Sequence, residues 1–197
     1  MFTIAIGLVD VRGLRAIRRE SPGEFQLAVL AALVVIAIGV EQGVVVAIVL
    51  SLLRHVRHSY LAHTAVLVQK DGQWQPVPAK PGTVSGPGFV VFQFGAALFY
   101  ANATRFATDV RGLVKGAPSP VKWLVVDAGA ITSIDYSAAR VVEDLQRDLV
   151  HRNVTLIVVH AEPSLLNDLR RHRLTEVVAG GHVFDTLRGA LAAMQVG

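Results

Sequence analysis

The stretch ITSIDYSAAR, residues 131–140, links a strand-like run to a helix-like one and holds the residue types best placed for chemistry. In open α/β sheets, ligands bind beyond the carboxyl ends of strands, which is where such a loop falls. Asp135 stands at an expected helix N-cap, and Ser137 then lies in the first helical turn. A phosphate on Ser137 would add about −1.5 to −2 charges at a helix N-terminus, where the dipole tolerates them. Two readings stand on these residues alone. Either the loop is a regulatory phosphoacceptor, or Asp135 merely caps the helix and Ser137 is an ordinary first-turn serine.

Other candidates are weaker. His55 and His58 are spaced i, i+3 and His63 follows, a pattern able to hold a metal. No carboxylate lies nearby in sequence, so a solvated cationic flank that touches anionic head groups is the simpler reading. His151, His160, His172 and His182 show no ligand spacing. The chain has no cysteine, which excludes a disulfide scaffold, a thiolate metal site and a cysteine nucleophile. GFVVFQFG, residues 88–95, has the spacing of neither a nucleophile elbow nor a phosphate-binding loop. No cofactor site and no enzymatic activity are therefore expected. The sequence pI is about 9.8, but the basic residues are scattered. Arg170, Arg171 and Arg173 cluster at a helix end, where they complement the dipole, and no nucleic-acid partner is expected.

The elements that must position the 131–140 loop follow from periodicity. Residues 89–94 (FVVFQF), 121–127 (VKWLVVD) and 154–159 (VTLIVV) read as strands, the last two covered on both faces. Asn102 is expected to cap a helix bearing Ala103, Phe106, Ala107, Val110 and Val114. A second helix spans 136–152, Pro163 opens a third, and Asp185 caps a last one bearing Leu187, Ala190, Leu191 and Met194. The strand–helix–strand unit over 121–159 implies a parallel crossover, hence a small α/β domain. Upstream, 64–69 makes a short strand. Four prolines and four glycines between Asp71 and Gly88 then predict loop. The expected organisation is 1–60, an all-α membrane part; 61–87, a linker and first strand; and 88–197, the α/β domain.

The amino-terminal part carries the apolar surplus. Between Phe25 and Leu53, 23 of 29 residues are hydrophobic and Glu41 is the only charge. One straight helix of that length would extend about 43 Å, against a hydrocarbon core of about 30 Å. A carboxylate near its middle would cost about 3 kcal/mol. A break over Gly39, Glu41, Gln42 and Gly43 avoids that cost by letting the polar pair reach water or a protein cavity. Arg12, Arg15, Arg18 and Arg19 precede the segment, and Arg54, His55, Arg57 and His58 follow it. Basic residues mark the cytoplasmic side, so both ends inside predicts a membrane helical hairpin rather than one crossing. Residues 1–10 (MFTIAIGLVD) are too short to span, lack the flanks of a secretory signal, and read as the end of a membrane helix.

Taken together, GFVVFQFGAALFYANATRF, VKWLVVDAGAITSIDYSAA and the apolar window resemble the C-terminal end of SulP-type sulfate/anion transporters, which carry a cytoplasmic STAS domain (sulfate transporter and anti-sigma factor antagonist). The resemblance covers nearly the whole chain. It implies a STAS-like mixed α/β sheet with flanking helices, preceded by the last segments of a transporter gate domain. It also implies a multi-pass protein of the inner (cytoplasmic) membrane with the C-terminal domain in the cytoplasm. The expected partners are the membrane, the remainder of the transporter or a split partner chain, a second copy in a homodimer, and a cytoplasmic regulatory protein. In stand-alone STAS proteins an Asp-Ser-Ser-Gly loop holds the phosphorylated serine. Here the matching residues are Asp135, Tyr136, Ser137 and Ala138, so Ser137 occupies the acceptor position while its two neighbours differ. A membrane-tethered STAS module that regulates by protein interaction is the alternative.

Overall fold

The computed structural model describes residues 19, 22–60, 62–174 and 182–196. The stretch 1–10, with Arg12, Arg15 and Arg18, lies outside them. The chain divides into two compact units, with the boundary between His58 and Ser59.

The first unit holds α1 (Pro22–Ala37) and all but the last two residues of α2 (Val40–Tyr60), and the two helices are separated by Ile38 and Gly39 alone. Gly39 has φ +136°, a region where a side chain would be strained, and this is what ends α1. The break is thus narrower than the expected 39–43 turn. Glu41, Gln42 and Gly43 already belong to α2, because Gly43 N–H donates to Gly39 O at 3.1 Å and closes its first helical turn. Glu41 sits in that turn, where the helix dipole favours a carboxylate. Gly43 is buried, and a Cβ there would overlap Val35 Cγ2 and stand 3.2 Å from Val35 Cα. Its lack of a side chain therefore lets the two helices meet beside the break. Around it Leu33, Ile36, Val44, Ile48 and Leu52 are exposed, Ile36 by 83%.

The lengths follow from the break. Sixteen residues of α1 extend about 24 Å. The apolar part of α2, residues 40–53, extends about 21 Å before the basic run begins. Among the described residues, no helix is long and apolar enough to cross a membrane.

The second unit is a six-stranded sheet in the order β2-β1-β3-β4-β5-β6. Its strands are β1 (Thr64–Lys70), β2 (Gln73–Pro78), β3 (Phe89–Phe94), β4 (Trp123–Asp127), β5 (Thr155–Val159) and β6 (Val183–Phe184). Strands β3 to β6 are parallel, while β1 runs antiparallel to both its neighbours. Helices α3 (Tyr100–Gly116), α4 (Tyr136–His151) and α5 (Pro163–Arg171) connect the parallel strands, and α6 (Leu187–Val196) ends the unit.

Residues 73–78, expected as loop, form β2. Asp71 (φ 52°) and Gly72 (φ 77°) make a two-residue turn between the paired Lys70 and Gln73, the geometry that closes a hairpin. Pro76 and Pro78 are tolerated because β2 is an edge strand and need not donate on its outer side. Through β1 this hairpin belongs to the sheet.

The main core lies between the sheet and α3–α5, centred on Phe92, Phe94, Phe106, Leu124, Leu145 and Leu149. Phe94 and Phe106 meet edge to face at 5.3 Å. A smaller core on the other face joins Val91, Val125, Ile157 and Val159 to Leu187 and Ala190 of α6. The cap of α6 is Thr186 rather than Asp185, since its Oγ1 accepts from Gly189 N–H at 3.2 Å.

Asp109 on α3 is a carboxylate at the edge of this packing. Burial raises its pKa above 3.8, more than Arg105, 3.7 Å away, and the Thr64 hydroxyl lower it. The native state therefore holds this proton more tightly than the unfolded chain. The resulting stabilisation is full below about pH 3.8 and lost as pH rises through the raised native value. Asp109→Asn should accordingly be more stable than the wild type at pH 7, with the difference vanishing towards pH 3.5. Paired urea melts across that range check it.

Candidate functional site

The loop from Ala128 to Asp135 leaves β4 at the carboxyl edge of the sheet and is fixed along most of its length. Ile131 and Ile134 are buried beneath it. Ile131 N–H donates to Ala128 O at 2.9 Å, and Ile134 N–H donates to Asp168 Oδ2 on α5 at 3.1 Å. Leu98 N–H donates to Ser133 O at 3.0 Å, and Asp135 N–H donates to Leu98 O at 3.1 Å. The loop is thereby zipped to the segment that precedes α3.

Asp135 completes the zipper. Its Oδ1 accepts from Ala138 N–H at 2.7 Å, the N-cap bond of α4. Its Oδ2 accepts from Tyr100 N–H, the first residue of α3, at 3.0 Å. One carboxylate therefore serves the N-termini of two helices, each of which begins with unsatisfied donors and a partial positive charge. Sequence reasoning finds the first role and misses the second, because Phe99, at the N-cap of α3, has no side-chain acceptor. Asn102 is not that cap. It lies one turn inside α3, fully buried, where its Oδ1 accepts from Phe99 N–H at 3.0 Å and its Nδ2 donates to Ala97 O at 2.9 Å. An amide that reaches back from the third position does the same work as a cap side chain.

Around this clasp the surface is aromatic and basic. Tyr100 and Tyr136 are exposed by 72% and 67%. The Arg140 guanidinium lies 5.4 Å from the centre of the Tyr136 ring, and its Nη2 donates to His172 O at 3.0 Å. Ser137 is exposed in the first turn of α4, and its hydroxyl has no hydrogen-bond partner among the described residues. That hydroxyl stands two residues from the carboxylate that holds both helices.

A second polar cluster sits on the opposite face of the sheet, also at the carboxyl ends of strands. Asp127 is buried at the end of β4. Gln93 Nε2 donates to its Oδ2 at 3.2 Å, Gly129 N–H donates to its Oδ1 at 3.2 Å, and His160 Nδ1 lies 3.0 Å from the same Oδ1. His160, with φ 57°, is placed by tertiary contacts rather than by local spacing. The one sequence signal for this cluster is a charge closing the apolar run VKWLVVD. Both carboxylate oxygens are satisfied, so the trio reads as a lock between strands.

Among the described residues no group of three or more His, Asp or Glu could hold a metal. His63 is exposed, and the side chains of His55 and His58 lie outside what is described. Arg170 and Arg171 lie exposed in the last turn of α5. The break residues Gly39, Glu41, Gln42 and Gly43 belong to the first unit, whereas Asp135 and Ser137 belong to the second.

Comparison with known proteins bears on the family and the fold. The sequence model of the STAS domain matches residues 80–190, more than half of the chain. A probable sulfate transporter of Mycobacterium tuberculosis is 28% identical over 193 residues, which cover 97% of this chain and 34% of that protein. Sulfate transporter 1.3 of Arabidopsis thaliana is 24% identical over 196 residues, covering 94% of this chain and 30% of that one. The chain thus spans about a third of the length of these relatives. In fold it is similar to the murine Solute Carrier 26 family member A9 anion transporter in its inward-facing state, with a TM-score of 0.82, 18% identity, and coverage of 99% of this chain and 33% of that one. A sulfate transporter family protein from Wolinella succinogenes is similar over 59% of this chain and 96% of its own, with 19% identity and a TM-score of 0.50.

The site makes a stability prediction. Removing an N-cap carboxylate costs about 0.5–2 kcal/mol. Asp135→Ala removes the acceptor of two helices, so it should cost about 2 kcal/mol, the top of that range. Asp135→Asn keeps one acceptor oxygen and should fall between Asp135→Ala and the wild type. Urea melts give the ranking, and faster amide exchange at both Tyr100 and Ala138 in the Ala variant identifies the double cap.

Proposed function

The chain belongs to the STAS domain family, and on that premise we propose that it is the C-terminal part of a SulP-type secondary active transporter of sulfate or a related inorganic anion. The similarity of sulfate transporters over nearly the whole chain, apolar helices included, carries this reading.

In this account α1 and α2 lie in the inner membrane as part of the gate, both ends facing the cytoplasm, and the STAS unit hangs in the cytoplasm. The exposed apolar side chains of both helices support an environment of lipid or of further membrane helices. Transport belongs to the whole protein. The anion site of such transporters is built from facing half-helix ends near the bilayer midplane, and these two helices supply no such pair. The STAS unit controls transport, assembly or trafficking, with the Asp135–Ser137 loop as the regulatory element and a homodimer as the working state.

The chain expressed alone should therefore partition with membranes and give no sulfate uptake above the empty-vector level. Recovery in the soluble fraction contradicts the membrane assignment. Reporters fused before Phe25 and after Tyr60 should both read cytoplasmic, and opposite readings replace the hairpin with a single crossing.

A second reading rests on the exposed Tyr100, Tyr136 and Arg140 beside the clasp, residue types enriched at protein interfaces. It makes the chain a membrane-tethered interaction module. Phosphate on Ser137 bears on both readings. Mass spectrometry of cell-derived protein should find it in the wild type and lose it in Ser137→Ala, whereas its absence under every growth condition removes Ser137 from the mechanism.

A further inference from the structure

The end of α5 that carries Arg170, Arg171 and Arg173 adjoins the surface around the clasp. Arg140 of α4 donates from Nη2 to His172 O, just past the last turn of α5, at 3.0 Å. The Tyr136 and His172 rings stand 6.2 Å apart, edge to face. These contacts hold the end of α5 beside the start of α4, so that three arginines join Tyr136 and Arg140 on one surface.

Their charge is unspent. Arg105, Arg111, Arg140 and Arg147 pair with Asp109, Asp148, Glu143 and Asp144. Five arginines of the α/β unit have no ion pair among the described residues. Three of the five fall within residues 170–173, all exposed, and the others are Arg152 and Arg188. Arg170 makes only a 3.5 Å bond to Asn167 Oδ1, within its own helix. The neighbouring acids are occupied. Asp168 Oδ2 accepts from Ile134 N–H at 3.1 Å, and Glu143 Oε2 lies 2.5 Å from Arg140 Nη1. The dipole of α5 accounts for cations in its last turn, but Arg173 lies past the C-cap His172. Its φ of 60° is a conformation where glycine or asparagine is the usual residue, so local folding does not call for arginine there.

We propose that Tyr136, Arg140 and the arginines of 170–173 form a docking surface for an acidic protein segment, whose Asp or Glu side chains meet the free guanidiniums. The inference names a partner for the interaction reading of this surface and rests on that reading. The cluster is arginine throughout, with no lysine, and the planar guanidinium fork matches a carboxylate two-pronged. Tyr136, 67% exposed, adds the kind of amphipathic ring that protein interfaces favour. In a symmetric pair of copies centred here the same arginines would face one another, and like-charge repulsion disfavours that occupant.

The full chain in neutral maltoside micelles would be titrated with a labelled oligoglutamate peptide and its oligoglutamine counterpart, read by fluorescence anisotropy. The wild type should bind oligoglutamate and not oligoglutamine, more weakly as salt is raised. Arg171→Glu combined with Arg173→Glu should weaken binding about tenfold, the factor that two exposed ion pairs carry at the upper end of their range. Arg171→Gln combined with Arg173→Gln should fall between. Arg152→Glu combined with Arg188→Glu changes the net charge equally, at the far end of α4 and on α6 across the sheet, and should leave binding nearly unchanged.

Equal loss in the two charge-reversed variants overturns the proposal, because binding then follows net charge alone. Displacement of the peptide by an equal concentration of sulfate, or of phosphatidylglycerol added to the micelles, also overturns it and assigns the arginines to a free anion or to lipid headgroups. If oligoglutamine binds as well and Tyr136→Ala abolishes both, the acidic partner falls while the interaction reading stands. If neither peptide binds, the acidic partner and the interaction reading fall together.

Discussion

The Asp135 carboxylate is the constraint around which the α/β unit is organised. Two helices that follow successive parallel strands begin side by side, and each brings a turn of unsatisfied N–H groups with a partial positive charge. Placed apart, they would need two caps. Here the two oxygens of one side chain answer both, at 2.7 and 3.0 Å. The backbone bonds between Leu98 and the 133–135 segment hold that carboxylate in register, and Asp168 reaches in from a third helix to fix Ile134. The loop after β4 is thus a rigid mount rather than a flexible connection. Ser137, Tyr136 and Tyr100 are displayed on it at positions set by the cap itself. A charge added at Ser137 would enter the field of a carboxylate that two helices share, so local chemistry there is felt by α3 as well as α4.

The amino-terminal unit obeys a different constraint. Its residues are apolar enough for one long helix, but Gly39 ends α1 and Gly43 brings α2 against Val35. The result is two short helices whose large side chains are mostly exposed. An isolated pair of this kind has nowhere to hide its surface from water. Its stability is therefore tied to surroundings that the described residues of this unit do not themselves provide.

Much of this was legible in the residues. Continuous apolar runs announced β3, β4 and β5 because strands covered on both faces leave no polar alternation to obscure them. Asp135 was legible as a cap because Asp before an apolar-periodic segment has few other uses. What escaped the sequence depends on tertiary pairing. The second bond of Asp135 joins residues 35 apart in the chain. Asn102 has the composition of a cap but works from inside the helix, which only the position of Phe99 reveals. The prolines of β2 argue for loop unless the strand is known to be an edge. His160 joins Asp127 only through the parallel pairing of β4 and β5. The family resemblance led to the same fold as the residues did, but it could not have supplied these contacts.

In the proposed arrangement the apolar helix pair lies in the membrane with the STAS unit on its cytoplasmic side. The absence of native cysteine makes this directly measurable. Single cysteines at Ile38 and Gln69 would be challenged with a membrane-impermeant maleimide in right-side-out and inside-out vesicles. Gln69→Cys is expected to react only in inside-out vesicles, and Ile38→Cys is expected never to react from the inside-out face. Reaction of Gln69→Cys in right-side-out vesicles, or of Ile38→Cys together with Gln69→Cys in inside-out vesicles, would contradict it.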